Sequence, residues 1–433
     1  VLTSFLFFTQ FVALLIIIKM KKIILTYSLI LLFMCSFSQN SDSVIINPSY
    51  TNQSFYNLND GEIANIDNTN WDLAFSSSGY GSAIRINAQA GVELFVYPNG
   101  DINDWNSVDI TNINNWSSII NSDTTWTIGA FNATSDPTNS LDLGWGVYST
   151  ITHHITGDSI HIIKLSNGDY KKLQMIKLSS GVYDFKYANI DGSNEVTTNV
   201  SKSNYTSKNF GYYSLTNEAE LDREPDSDSW HILFTKYVSE IYPGTNYAVT
   251  GVLTNKDIEV AKAEGVDISN VNYNLYSFSS QINTIGYNWK SYNMSSFSYD
   301  IVDSLCFFIK DDFGSIWKLQ LTGFEGSSSG KINFNVENIL SASDNVLDKN
   351  VFAIYPNPTK SKEIKIIYDL NYSTSSLNKL DFYDLNGKLV KSLKLANNGF
   401  FERDVNLYDL KSGIYFVSLI TDEKSFQQKL IIQ

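Results

Sequence analysis

Between residues 50 and 340 the sequence runs through one pattern twice, and any fold must house both copies. Phe55-Tyr56-Asn57-Leu58 followed by Trp71-Asp72-Leu73-Ala74-Phe75 returns as Tyr212-Tyr213-Ser214-Leu215 followed by Trp230-His231-Ile232-Leu233-Phe234. Val96 with Asn99, Asp101 and Ile102 aligns with Val252, Asn255, Asp257 and Ile258, and Leu143-Gly144-Trp145 with Ile285-Gly286-Tyr287. Ile162-Ile163-Lys164 through Lys172-Leu173-Gln174 matches Phe308-Ile309-Lys310 through Lys318-Leu319-Gln320 without a gap, and Gly181–Tyr187 matches Gly330–Val336. A repeat of roughly 140 to 160 residues exceeds a solenoid unit, so each copy reads as a domain. Within a copy the period is two: Tyr183, Phe185 and Tyr187 share one strand face, Asp184 and Lys186 the other. Asn167-Gly168 marks a tight hairpin turn. One helix is expected, from about Lys256 to Glu264, capped by Thr254 or Asn255 and stopped at Gly265.

Met20-Lys21-Lys22 before the apolar run Ile23–Phe33 has the layout of a secretory signal, with Ser36-Phe37-Ser38 placing cleavage before Gln39 and the start of translation at Met20. A membrane span over the whole of 1–37 would bury Lys19, Lys21 and Lys22, which is expensive. Without residues 1–38 the formal charge is −17; residues 351–433 carry +2 and residues 39–350 carry −19. That sign repels phosphate backbones, so nucleic-acid partners are not expected. Cys306 is the one cysteine left, so stability must come from packed cores rather than an internal disulfide.

The tail has its own signature. Tyr355-Pro356-Asn357-Pro358 precedes strand patterns over Ile364–Tyr368 and Leu380–Val390, the latter turning at Asn386-Gly387. Asp409-Leu410-Lys411-Ser412-Gly413-Ile414-Tyr415 and Lys429-Leu430-Ile431-Ile432 complete it. This order resembles the type A sorting domain of the type IX secretion system of Bacteroidetes. The resemblance implies passage through the periplasm and outer membrane, the secretion machinery as partner, and a secreted or surface-attached product. Any membrane association would run through the signal peptide or lipid attached after export. In the repeat, the Tyr56-Asn57-Leu58 strand, Trp71–Phe75, the glycine-bearing loop Gly79–Gly91, the hairpin Gly168–Gln174 and the ending Gly181–Tyr187 resemble HmuY-like haem-binding proteins. Ile285–Lys290 ahead of Cys306–Lys310 extends the likeness to the second copy. It implies right-handed β-folds that capture haem at the cell surface.

Haem capture needs soft axial donors facing an apolar slot, and neutral histidine is the commonest. The candidates are His153, His154, His161 and His231. Adjacent His153 and His154 cannot both face one way on a strand; His161 shares a face with Ile163 and Leu165, and His231 replaces Asp72 of the first copy. Met175 is a conceivable donor but reads as core filler. Gly326-Ser327-Ser328-Ser329-Gly330 fits the hydrolase elbow pattern, yet no histidine follows it, so it reads as an enlarged hairpin loop. Asp226-Ser227-Asp228 and Asn57–Gly61 read as turn chemistry rather than calcium loops. Trp105, Trp116, Trp126 and Trp145 raise carbohydrate stacking against core or loop anchoring, with Trp105 and Trp116 hardest to place inside.

The expectation is an all-β chain: two tandem antiparallel HmuY-like domains with a short helix, over 44–196 and 211–340, a linker over 341–350, and a small Ig-like sandwich over 351–433. The middle is expected to bind a ligand without catalysis, haem or porphyrin first. The alternative is an adhesin-like or glycan-binding surface module without a haem site.

Overall fold

The computed structural model describes residues 40–340, 352–370, 378–385, 387–395, 399–420 and 425–433. The signal expected over 1–38 and the linker expected over 341–350 lie outside them. The chain is all-β, and its described residues divide into two compact units, 40–340 and 352–433.

In the first unit, the strands of the leading segment are β1 (Asn40–Ile45), β2 (Asn52–Asn57) and β3 (Gly61–Asp67). There follow β4 (Leu73–Ser76), β5 (Ile84–Ile86), β6 (Glu93–Val96), β7 (Gly146–Tyr148), β8 (Ile155–Gly157), β9 (Ile160–Lys164), β10 (Tyr170–Ser179) and β11 (Val182–Asn189). Next come β12 (Val196–Ser201), β13 (Phe210–Ser214) and β14 (Ala219–Leu221). The last group is β15 (Ile232–Tyr242), β16 (Thr245–Thr254), β17 (Glu259–Glu264), β18 (Lys290–Asn293), β19 (Ser298–Ile301), β20 (Leu305–Lys310), β21 (Ile316–Phe324) and β22 (Lys331–Leu340).

These strands build two sandwich lobes. In the first, a seven-stranded sheet holding β6 to β12 faces a four-stranded sheet ordered β14-β13-β4-β5. Leu73, Phe75, Ile84 and Tyr213 from the small sheet meet Met175, Tyr183, Phe185 and Tyr187 from the large one in a closed core. In the second lobe a five-stranded sheet, β1-β22-β21-β20-β17, faces a four-stranded one, β16-β15-β2-β3. Here Tyr56, Ile232, Phe234 and Val252 meet Phe307, Leu319, Ile332 and Phe334.

Each lobe contains one copy's worth of equivalent strands, but their frame differs from the boundaries expected at 196 and 211. The first lobe is continuous, from β4 to β14. The second is closed by the front of the chain: β1 pairs with β22, placing Val44 opposite Ile332, and β2 pairs with β15, placing Tyr56 opposite Ile232. Thus β1–β3 do for the second lobe what β12–β14 do for the first. The backbone bonds repeat accordingly: Lys202 N–H donates to Gly181 O at 2.9 Å, and Ile46 N–H to Gly330 O at 3.1 Å.

Where a helix is expected over Lys256–Glu264, Lys256-Asp257 form a turn and Glu259–Glu264 form strand β17. Glu259 lies opposite Lys310 there as Glu93 of β6 lies opposite Lys164, with ion pairs of 2.8 and 2.7 Å. The true counterpart of Glu93–Tyr97 is therefore Glu259–Ala263, not the Val252–Ile258 stretch that the sequence aligned with Val96–Ile102. Val260 packs in the lobe core while Ala261 and Ala263 pack on the outer face beside Cys306 and Phe308. Burial on both faces and a full ladder outweigh the helix propensity of Ala, Lys and Glu, which spans only tenths of a kcal/mol per residue. Among the described residues the helical segments are short 3-10 turns.

The anchor glycines Gly144 and Gly286 have a shared cause. Both take positive φ, 86° and 62°, and a Cβ would meet backbone oxygen at 2.6 Å (Phe131) and 2.8 Å (Asn283). Asn167-Gly168 makes the expected turn between β9 and β10, with Gly168 at φ 93°.

The tail unit has a three-stranded sheet of β23 (Phe352–Tyr355), β24 (Glu363–Leu370) and β27 (Gly399–Asn406). A four-stranded sheet contains β25 (Lys379–Tyr383), β26 (Leu389–Lys394), β28 (Gly413–Ile420) and β29 (Ser425–Ile432). Ile364, Ile366 and Tyr368 pack with Leu380, Phe382, Val417 and Leu419 between them. The Tyr355–Pro358 motif is a strap on the last strand: the Asn357 amide accepts from Ile431 N–H at 3.0 Å and donates to Lys429 O.

Candidate functional site

The four histidines stand at separate places. His153 is exposed at the β7–β8 turn with φ 57°, its Nδ1 2.8 Å from the Tyr148 hydroxyl. His154 beside it is half-buried. His161 points into the first core, as its face predicts, 0 % exposed and 4.6 Å from the Phe131 ring, with both ring nitrogens unpartnered. Burial pushes its pKa down to about 3, so the ring is neutral. By the gapless repeat it occupies the position of Phe307 in the second core.

His231 has a structural counterpart with the same task. Its Nδ1 accepts Leu58 N–H at 3.0 Å, while in the other lobe Asp72 accepts Leu215 N–H at 2.7 Å. Leu58 and Leu215 are repeat equivalents, so both side chains cap the same backbone amide. Burial lowers the His231 pKa against the pull of Asp311, Asp312 and Asp60.

Of the four tryptophans, Trp105 and Trp145 are buried, whereas Trp116 and Trp126 are half-buried. Trp145 is fully buried; Trp105 is 5 % exposed, donates to Glu195 at 2.8 Å and carries the Lys186 ammonium 4.1 Å from its ring centroid. Trp116 packs on Phe95 and Tyr97. The Gly326–Ser328 turn only links β21 to β22. Cys306 is buried, its thiol pushed up to about 11 by burial. At Asn57, the side-chain oxygen accepts from Asn59 and Asp60 N–H as a turn does. Among the described residues no group of three or more His, Cys, Asp or Glu could hold a metal ion.

A site that the histidines do not mark lies where the two small sheets face each other. Leu73-Ala74-Phe75 and Ile232-Leu233-Phe234 are apolar at every position because one face serves each lobe core and the other serves the junction. Ala74, Phe210 and Tyr212 come from one lobe, Phe55, Trp230 and Leu233 from the other. Trp126 joins them, its ring edge-on to Phe210 and its Nε1 donating to Thr254 O at 2.9 Å. Arg85 holds the Trp126 segment by donating to the carbonyls of Ser122, Thr125 and Ile128, with its guanidinium 5.0 Å from the ring centroid.

Between these walls is a cavity of about 70 Å³. Three of its lining residues also carry a buried polar atom without a hydrogen-bond partner, Trp230 Nε1, Asn209 Oδ1 and the Tyr237 hydroxyl, the last of them beside Gly286. Their residues are 2 %, 9 % and 7 % exposed. Glu224, also lining it, accepts from Tyr212 OH at 3.0 Å and Asn209 N–H at 3.3 Å, and burial raises its pKa to about 7. An aromatic-walled slot with a few polar side chains among its lining residues is the form of a ligand site.

Among curated proteins no match to the chain is found. Residues 353–433 match the family described as a secretion system C-terminal sorting domain. They form the strapped sandwich described above. Residues 353–433 are thus a type IX sorting domain, and the chain carrying it is exported through the outer membrane to the cell surface or the extracellular space.

Proposed function

We propose that the exported two-lobed unit is a non-catalytic ligand-binding protein whose site is the aromatic cavity between the small sheets. The observation that carries this is one aromatic-walled cavity to which both lobes and the Trp126 segment contribute, with Asn209, Glu224 and Arg85 among its lining residues.

Haem capture, the activity implied by the HmuY-like resemblance, needs donors converging on one slot. The four histidines sit at the β7–β8 turn, in the first core and on a strand end of the second lobe, and none lines this cavity. A screen of the mature chain by ligand-detected NMR, with haemin, sugars, amides and nucleosides as probes, tests the proposal. Ala74→Leu should narrow the cavity and weaken the bound probe. A haemin complex with a Soret band that survives Ala74→Leu but is lost on replacing His153 and His154 would overturn it in favour of haem.

A further inference from the structure

A second and larger opening, a groove of about 870 Å³, has the volume of a ligand cleft. It is lined by the loop between β4 and β5, the β10–β11 turn at Ser180-Gly181, the turn after β12, and Lys256-Asp257 of the second lobe. Three lysines, Lys202, Lys208 and Lys256, line it against one acid, Asp257. Residues 39–350 carry a formal charge of −19, so this is a cationic place in an acidic unit.

Two of the lysines are departures between the copies of the repeat. Lys202 N–H bonds to Gly181 O as Ile46 N–H does to Gly330 O, so a lysine stands where the second lobe has a fully buried isoleucine. Asn87 donates through Nδ2 to Asn68 O and Trp71 O as Asn255 does to Ser227 O and Trp230 O. Those bonds make Ser227 the counterpart of Asn68 and Trp230 that of Trp71, and Lys256 follows Asn255 where Ala88 follows Asn87. One departure belongs to each lobe, and both bring positive charge to the same groove.

The two charges act differently. Lys202 Nζ donates to Ser78 O, Gly79 O and Gly81 O at 2.6, 3.1 and 2.5 Å, which spends all three ammonium hydrogens on the loop. Burial lowers its pKa to about 8, so it stays charged at pH 7, and among the described residues no carboxylate pairs with it. Lys202 thus fixes one wall and adds an unneutralised positive charge. Lys208 is held by Asp222. Lys256 is exposed and makes no ion pair among the described residues, so its ammonium can meet a ligand directly.

The rest of the lining suits a polyol. Seven of its residues are serine or threonine, and Ser78, Ser180 and Thr206 are exposed with hydroxyls that make no hydrogen bond among the described residues. We propose that the groove binds an acidic sugar, whose carboxylate pairs with Lys256, whose hydroxyls bond to these side chains and Asp257, and whose ring lies against Trp126. An acidic peptide is disfavoured because Ala83, Trp126 and Phe210 are the only apolar side chains in the lining, too few to receive the alternate residues of an extended chain. A long polyanion is opposed by the charge of the surrounding unit.

Titration calorimetry on the full mature chain tests this, with glucuronate, galacturonate, N-acetylneuraminate, glucose, acetate, inorganic phosphate and an aspartate-rich peptide as probes. At least one acidic sugar should bind about tenfold or more tightly than glucose, acetate, phosphate or the peptide, and added salt should weaken it. Lys256→Ala, which copies Ala88 at an exposed position, should cost that sugar about tenfold, the scale of one charge-assisted hydrogen bond. Trp126, Asn209 and Phe210 line both the groove and the aromatic cavity, whereas Lys256 lines the groove alone, so this variant reads the groove. Near-UV circular dichroism checks its fold. Affinity for glucose, acetate or phosphate equal to that for every acidic sugar overturns the proposal, as do preference for the peptide, no binding of any acidic sugar, and unchanged affinity in Lys256→Ala.

Discussion

Tyr56 and Tyr213 offer a direct test of how the front of the chain closes the second lobe. Tyr56 is 4 % exposed, meets Phe334 at 5.1 Å and Phe234 at 6.0 Å edge-on, and donates its hydroxyl to Asp42 at 2.7 Å. Removing such a ring costs about 3–5 kcal/mol through lost transfer energy and a residual cavity. The two edge-on pairs account for about 0.5–1.5 kcal/mol each within that figure. In Tyr56→Ala the loss should fall on β20–β22, as a rise of roughly two to four orders of magnitude in amide exchange. Tyr213 meets Phe185 at 5.2 Å and Tyr187 at 6.2 Å, so Tyr213→Ala should release β9–β11 instead. Hydrogen-exchange mass spectrometry reads both. If residues 44–196 folded as one domain, Tyr56→Ala would expose β9–β11 more than β20–β22, and that result would refute the closure.

Glu224 has its pKa raised from the usual 4.5 to about 7, so the native state binds the extra proton between those values and loses stability as pH rises through them. Glu224→Gln should flatten the stability curve from pH 5 to 7.5 by up to about 3 kcal/mol, read by urea denaturation at each pH. For His161 the sign is opposite. Its folded value of about 3 lies below 6.5, so the unfolded chain protonates first and stability falls as pH drops below 6.5. His161→Phe, copying Phe307, should abolish that acid-side loss and raise stability at pH 7 by about 1–3 kcal/mol as two unpartnered nitrogens go; a destabilised variant would show that the nitrogens have partners in solution. Deleting residues 353–433 should leave the product in the periplasm, scored by cell fractionation; unchanged appearance outside the cell would remove the tail from the export route.

What the sequence makes legible is local. Alternation in Tyr183–Tyr187, the turn at Asn167-Gly168 and the glycine pair at 144 and 286 report steric or burial conditions that neighbouring residues impose. The frame of the repeat is not local. Phe55–Leu58 and Tyr212–Leu215 look alike whichever lobe they complete, and only pairing across almost 300 residues, Val44 with Ile332, decides it. The strand at Glu259–Glu264 escapes propensity for the same reason, since its ladder partner Leu305–Lys310 is remote in the chain. The cavity did leave a trace. Leu73-Ala74-Phe75 and Ile232-Leu233-Phe234 break the period of two, and an antiparallel strand without a polar face signals burial on both sides. Tyr-rich, alternating strands elsewhere make that break easy to pass over.

A duplicated fold also supplies its own control, because a position that differs between copies has either been absorbed by its surroundings or left open. His161 for Phe307 is absorbed as a neutral ring in a core. Lys202 stands where Ile46 does, and its ammonium donates to the carbonyls of Ser78, Gly79 and Gly81, tying down a loop that the other lobe lacks. His231 for Asp72 is absorbed completely, since both accept the same amide. Ser227 for Asn68 is different. It takes an acceptor away from a buried indole and nothing in the protein replaces it. His161 also leaves its ring nitrogens without partners, but Trp230 lines the cavity to which both lobes and the Trp126 segment contribute. Divergence that costs the protein a hydrogen bond without a compensating contact is expected at a site that something else completes.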